Sequence, residues 1–231
     1  MRTIEKIFLP FSRNYIFIAI AALVTLYGLF GARTPGQHVY SIGVLVVLIP
    51  FLEIRNQIRV MQLFFVFFVC IQVSSIAFFD RLPYRLLIGS QPFWPAVRIG
   101  IPVAYILCAM AHVFSLRKIS LVKLYGLKFP VMIFASIWYV RMLLIMNNCQ
   151  HNAYESAVRI PAVVLQKCPV CCNIHELWFS FSYEGKQRTV SIDVHPKLYK
   201  RTSEGDSLTL QMHHGLYGWP WYHKDIKRRY R

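Results

Sequence analysis

The sequence predicts a membrane α-helical bundle with five transmembrane helices, followed by a small antiparallel all-β domain that forms a sandwich or an open barrel. Hydrophobic residues make up 56% of the 231 residues and the mean hydropathy is +0.42, which is more apolar than an ordinary soluble domain of this length. Near Asn147 the long apolar runs give way to alternating apolar and polar residues. We therefore predict a transmembrane helical domain at 1–146 and a β-rich domain at 147–231.

The helical domain is predicted from apolar runs that are long enough to cross a hydrocarbon core of about 30 Å. The second run is short and ends at Pro50, so a re-entrant or interfacial segment is its alternative. A signal peptide is the alternative for the first run, but Phe30-Gly31-Ala32 is a poor cleavage site. The predicted spans are 15–32, 39–52, 60–79, 96–114 and 129–146.

The distribution of Lys and Arg predicts the orientation, because positively charged connections tend to stay in the cytoplasm. With five spans and a cytoplasmic N-terminus, nine basic residues fall in cytoplasmic segments. The outer loops hold only Arg33, Arg81 and Arg85, with Arg98 just inside the fourth span. This bias predicts an integral protein of a bacterial inner membrane whose C-terminal domain is periplasmic or extracellular.

Charged residues inside the predicted spans are few. All ten acidic residues lie outside the spans, which disfavours ion-coupled transporters and proton pumps. Arg98 and Arg141 lie within spans, and snorkelling toward the head groups is one interpretation of both. The other is a lipid site, because the guanidinium fork of arginine matches phosphate oxygens.

The β-domain is predicted from residues that alternate between apolar and polar along the chain. Two alternating runs separated by Glu184-Gly185-Lys186 read as a hairpin. The aromatic ending after Gly215 is expected to cap or close the sheet. The predicted strands lie at 157–165, 177–183, 189–194 and 208–212, the first with a change of phase near Pro161.

Four of the six cysteines lie in the β-domain, namely Cys149, Cys168, Cys171 and Cys172. In an oxidising compartment they predict one or two disulfides, with Cys149 joined to one member of the cluster. Zinc is the alternative, held by Cys168, Cys171 and His175 with His151 or Cys149 as a fourth ligand. A thiol-redox site is a third and weaker interpretation, because the Cys-x-x-Cys motif joins two strands.

No motif in the chain names a reaction. The patterns of serine hydrolases, zinc proteases, P-loops and dinucleotide-binding folds do not occur, so an enzyme is not favoured. The basic cluster at 224–231 is interpreted as a solvated tail, and attraction to anionic lipid head groups is the alternative. Nucleic-acid binding is not expected, because it would need a basic surface with stacking aromatics on a soluble fold. No cofactor is expected unless the cysteines hold zinc.

These observations predict a non-catalytic membrane protein whose β-domain binds a protein partner. Its strand edges and an aromatic end at Trp219, Trp221 and Tyr222 would make the contact. It would act as an assembly or accessory subunit, or as an immunity-type protein that blocks a membrane-acting toxin. The alternatives are a lipid-handling transporter or enzyme that uses Arg98 and Arg141, and a zinc-binding or thiol-redox membrane protein.

Overall fold

The computed structural model describes residues 13–49, 57–114, 129–150, 157–168 and 175–223. They form two compact units, divided after Arg81, Gln91 and Leu144. The helical unit contains the chain up to Arg81 together with Pro92–Leu144. The sheet unit contains Leu82–Gln91 and the chain from Ile145 onward.

In the described part of the chain five helices supply the helical unit, and the last six residues of the fifth belong to the sheet unit. A π-helical turn, Tyr27–Gly31, follows the first helix and is closed by the Ala32 N–H, which donates to the carbonyl of Tyr27. The second helix begins with a capping box between Thr34 and Gln37. The helices are Arg13–Leu26 (α1), Pro35–Leu48 (α2), Gln57–Arg81 (α3), Phe93–Phe114 (α4) and Phe129–Gln150 (α5).

The prediction of a five-helix membrane bundle is wrong. Among the described residues only two helical stretches are long and apolar enough to cross a membrane, Phe93–Met110 and Phe129–Gln150. The other apolar stretches are Ile18–Gly31, Pro35–Leu48 and Phe67–Phe79. At 1.5 Å per residue each spans roughly 20 Å, short of a core of about 30 Å.

Within the helical unit α4 and α5 approach each other to backbone contact. A Cβ placed on Gly100 would lie 2.7 Å from Cα of Ile137 and 2.8 Å from its nitrogen. On the same helix as Ile137, the Trp138 indole N–H donates to Oγ of Ser75 at 2.9 Å. Glycine at position 100 therefore allows the close packing of α4 on α5.

The sheet unit is built on one antiparallel sheet of six strands, in the order β1-β6-β5-β2-β3-β4. This confirms the antiparallel β part of the predicted fold. A short helix, Pro196–Arg201 (α6), connects β4 to β5. The strands are Tyr84–Leu86 (β1), Val158–Lys167 (β2), Glu176–Tyr183 (β3), Lys186–Asp193 (β4), Ser207–His214 (β5) and Pro220–His223 (β6).

The predicted hairpin is confirmed as β3 and β4, in which Phe179 faces Val190. Its two-residue turn has positive φ at Glu184 and at Gly185, 51° and 71°, as the type I′ turn of a tight hairpin requires. The predicted change of phase at Pro161 is wrong. Every second residue of β2 from Ile160 to Val164 is buried, and the ladder becomes irregular only between Val164 and Gln166.

One face of the sheet carries the hydrophobic core, and we call it the inner face. Because strand side chains alternate between faces, its residues recur with a period of two. The core contains Ile160, Ala162, Val164, Leu177, Phe179, Phe181, Tyr183, Val190, Ile192, Val194, Leu210, Met212 and Tyr222. The opposite face, the outer face, carries the remaining strand residues.

Gly100→Ala tests the packing of α4 on α5 against helix propensity. Alanine is favoured over glycine in a helix interior by about 1 kcal/mol, so an uncrowded site would gain stability. Because the added Cβ meets the backbone of Ile137, we expect a loss of roughly 1–3 kcal/mol instead. Thermal unfolding of the detergent-solubilised chain measures the change.

Gly89→Ala is the matched control, since no atom lies within 4 Å of a Cβ at that position. It should alter the free energy of unfolding by less than about 0.5 kcal/mol. A gain of stability in Gly100→Ala would contradict the close approach of the two helices.

Candidate functional site

Four aromatic rings cluster on the outer face where β1, β6 and β5 lie side by side. Trp221 is fully buried and stacks on His213, with ring centroids 4.3 Å apart. Tyr84 and His223 meet the same indole edge on, at 5.4 and 5.2 Å. Part of the outer face is therefore covered.

The last residues of α5 provide this cover within the sheet unit. Cys149 and Gln150 lie close enough to Tyr84 to influence its ionisation, and Cys149 is fully buried. Asn148 contacts the loop between β5 and β6. Thus one end of the outer face is closed by the end of a helix that the sequence places in an apolar span.

Asn148 fixes that loop by three hydrogen bonds. Its Nδ2 donates to the carbonyl of Trp219 at 3.1 Å, and its Oδ1 accepts from the backbone N–H of Tyr217 at 3.0 Å. Its own carbonyl accepts from the N–H of Leu216 at 3.1 Å. Gly215 leaves room for the contact, because a Cβ there would lie 2.2 Å from Nδ2 of Asn148.

The predicted partner-binding residues lie mostly in the interior. Trp221 and Tyr222 are buried on opposite faces of β6, so neither side chain is accessible on the surface of this structure. Trp219 is partly exposed and its ring lies 4.9 Å from that of Tyr217. Binding through these residues stays a prediction.

The second half of the outer face is exposed and carries large apolar side chains. Val163, Leu165 and Trp178 are 44%, 50% and 41% exposed, and we call them the β2–β3 patch. In the ladder Val163 lies opposite Ser180, and Trp178 lies opposite Gln166, the residue after Leu165. Trp178 also faces Ser191 of β4, so small and polar side chains surround the patch.

Cys168 and His175 are brought to the same end of the sheet, although the residues between them are not described. The Tyr199 hydroxyl of α6 donates to the carbonyl of Cys168, and its ring meets His175 at 5.3 Å. The ammonium of Lys167 lies 4.6 Å from the centre of the same ring and donates to the carbonyl of Thr202. These contacts connect α6 to the ends of β2 and β3.

The metal and disulfide predictions are not tested by these contacts. In the part of the chain that the structure describes, no three His, Cys, Asp or Glu side chains are grouped as a metal site requires. His151, Cys171 and Cys172 lie outside the described residues. Among the described residues Cys149 and Cys168 form no disulfide, and both zinc and a disulfide in the cluster stay predictions.

The two arginines proposed for lipid head groups have different surroundings in the helical unit. Arg98 is exposed on α4. Arg141 is half-buried on α5, with its guanidinium carbon 5.4 Å from the centre of the Trp138 ring. Lipid handling by these two arginines stays a prediction.

Sequence reasoning missed both the cover over Trp221 and the β2–β3 patch. The signal for the patch was present, because β2 has apolar residues on both faces at 160–165. The signal for the cover was absent, since no pattern links Asn148 to the loop at 215–219.

No family model, curated protein or solved structure matches the chain.

Asn148→Asp should destabilise the sheet unit. The substitution keeps the acceptor for Tyr217 but replaces the donor to the Trp219 carbonyl with an oxygen. A buried side chain that loses its partner costs about 1–3 kcal/mol, and more when it is charged. Asn147→Asp, at a half-buried position on the same helix, is the control for thermal unfolding. Equal effects of the two substitutions would contradict the role of Asn148.

Two buried tyrosines predict a loss of stability in alkali. Burial raises the pKa of Tyr84 well above its usual range, Cys149 adds to the rise and Gln150 opposes it. Burial also raises the pKa of Tyr222, against the effect of Arg85. The folded protein thus keeps protons that the unfolded chain releases above about pH 10. Stability is complete below that pH and falls as the pH rises beyond it.

Tyr84→Phe should therefore make the melting temperature fall less steeply than in the wild type between about pH 10 and 11. Tyr217→Phe, at an exposed position, should leave the slope unchanged. If the melting temperature of Tyr84→Phe falls with pH as steeply as that of the wild type, the burial of Tyr84 has no effect on stability in alkali.

Proposed function

We propose that the protein is an integral membrane protein whose sheet unit binds a protein partner on the extracytoplasmic side. The observation that carries the proposal is the β2–β3 patch, three large apolar side chains that are exposed on the outer face of the sheet. Groups of exposed apolar side chains rimmed by polar ones mark interaction surfaces, and tryptophan is often the anchor of such contacts. Binding to protein is the function that this geometry supports best.

The exposed side chains of α4 support the membrane part of the proposal. Only 22% of the window Phe93–Met110 is buried within the protein. A helix whose exposed side chains are apolar is suited to lipid rather than to water. The exposed large side chains of α4 are Phe93, Trp94, Ile99, Ile101, Tyr105, Ile106, Met110 and Val113.

The orientation follows from the connection between the two candidate spans. Residues 115–128 contain four Lys and Arg residues and no acidic residue, whereas 82–92 contain only Arg85. The positive-inside rule places 115–128 in the cytoplasm. The chain after α5 then emerges on the opposite side, and this orientation needs only two spans.

A partner on that side is consistent with an accessory or assembly subunit, and an immunity-type protein is a narrower form of the same function. Both require a stable surface rather than a reactive group. The β2–β3 patch supplies such a surface on two neighbouring strands of a sheet.

Photo-crosslinking from position 178 tests the proposal. Benzoylphenylalanine in place of Trp178 should give a protein adduct of defined mass in intact cells. Position 217 is the control, because Tyr217 is exposed to the same degree, 42% against 41%, but lies on the β5–β6 loop. Leu165→Ser should reduce the adduct from position 178 about tenfold, since it removes part of the same patch.

Adducts of equal yield from positions 178 and 217, or adducts that Leu165→Ser does not change, would contradict binding at the patch. The same crosslinking assay distinguishes partner binding from the lipid-handling alternative. Arg98→Gln combined with Arg141→Gln should leave the adduct unchanged, and a phenotype confined to that double variant would favour lipid handling.

A further inference from the structure

The sheet has a long edge strand, β4, beside the β2–β3 patch. In the described residues β4 pairs with β3 alone, over eight register positions. An edge strand presents unpaired N–H and C=O groups that can take up another strand. Trp178 lies opposite Ser191 of β4, so the patch and the edge are adjacent.

Hairpin geometry identifies which backbone groups face the free edge. In a two-residue hairpin, Tyr183 and Lys186 exchange hydrogen bonds, and pairing then alternates along the ladder. The Val194 N–H donates to the His175 carbonyl at 2.8 Å, which agrees with this phase. The N–H and C=O groups of Gln187, Thr189 and Ser191 therefore point away from β3.

Arg188 places a positive charge at this edge on the inner face. It lies opposite Phe181 and is half-buried, and its Nε is buried without a hydrogen-bond partner among the described residues. An inward-pointing charge on an edge strand opposes pairing with an apolar strand. A carboxylate on an added strand would supply the missing acceptor.

The net charge of the chain segment that contains β4 and α6 favours the same partner. Residues 184–201 contain five Lys and Arg residues and two acidic residues, a net charge of +3. One of the acidic residues, Asp193, accepts a hydrogen bond from the N–H of His175. Lys197, Lys200 and Arg201 of α6 are exposed.

We propose that β4 binds an extended acidic segment of a protein partner, which adds a seventh strand to the sheet and places a carboxylate against Arg188. This inference rests on the proposed function and names the chemistry of its partner. Backbone hydrogen bonds to residues 187, 189 and 191 provide binding, and Arg188 selects acidic segments. The β2–β3 patch takes apolar side chains from the same partner.

Labelled peptides test this proposal on the full chain in phosphatidylcholine nanodiscs. An alternating Val-Glu octapeptide should bind about tenfold more tightly than the matching Val-Gln octapeptide, as read by fluorescence anisotropy. Arg188→Gln should abolish that difference. Thr189→Pro should weaken the Val-Glu peptide at least about tenfold, because it removes an N–H that faces the free edge and none that bonds to β3.

Thr189→Ser keeps the backbone N–H and is the matched control, expected to bind as the wild type does. Ser191→Pro removes another outward N–H and replaces Thr189→Pro if that variant does not fold, as judged by circular dichroism. Absence of Val-Glu binding to the wild type overturns the proposal. So does binding that persists in both proline variants, which would indicate attraction to basic residues in general or to any anion.

Failure of the β4 proposal can be distinguished from failure of the proposed function. If the peptides do not bind while position 178 still gives its protein adduct, only the assignment of β4 fails. If position 178 gives no adduct, the proposed function fails whatever the peptides do.

Discussion

The antiparallel sheet buries its core side chains on one face only, and the rest of the sheet unit depends on this constraint. Core side chains recur at every second position on β2, β3, β4 and β5, so they share the inner face. At about 1.5–3 kcal/mol for each large side chain, their burial dominates the stability of this unit. What the protein presents to a partner therefore depends on what covers the outer face.

The end of α5 covers one half of that face and leaves the other half open. Asn148 is fully buried and satisfies polar groups of the β5–β6 loop, while Cys149 lies near Tyr84. A buried amide with its partners in place contributes about 1 kcal/mol for each hydrogen bond. The open half, with Trp178 at its centre, is the surface left for binding.

Sequence reasoning predicted what depends on local pattern. Alternation at 177–183 and the Glu184-Gly185 turn were sufficient for the β3–β4 hairpin. It failed for features that depend on contacts between residues far apart in the chain. The three residues of β1 are too few to show alternation, and they become a strand only because β6 pairs with them. The sequence alone predicts Trp221 as part of an exposed aromatic end. In the structure it is fully buried, because β5 and β1 lie close to it. The transmembrane prediction counted five apolar runs, whereas among the described residues only two helical stretches are long and apolar enough to cross a membrane.

The most direct test of the free β4 edge is residue-resolved amide hydrogen exchange along β4 in the free protein. The account predicts alternation, with rapid exchange at Gln187, Thr189 and Ser191 and slow exchange at Arg188, Val190 and Ile192, whose N–H groups bond to β3. Equal protection at all six positions would mean that another part of the chain pairs with this edge, and would contradict the claim that β4 is available to a partner.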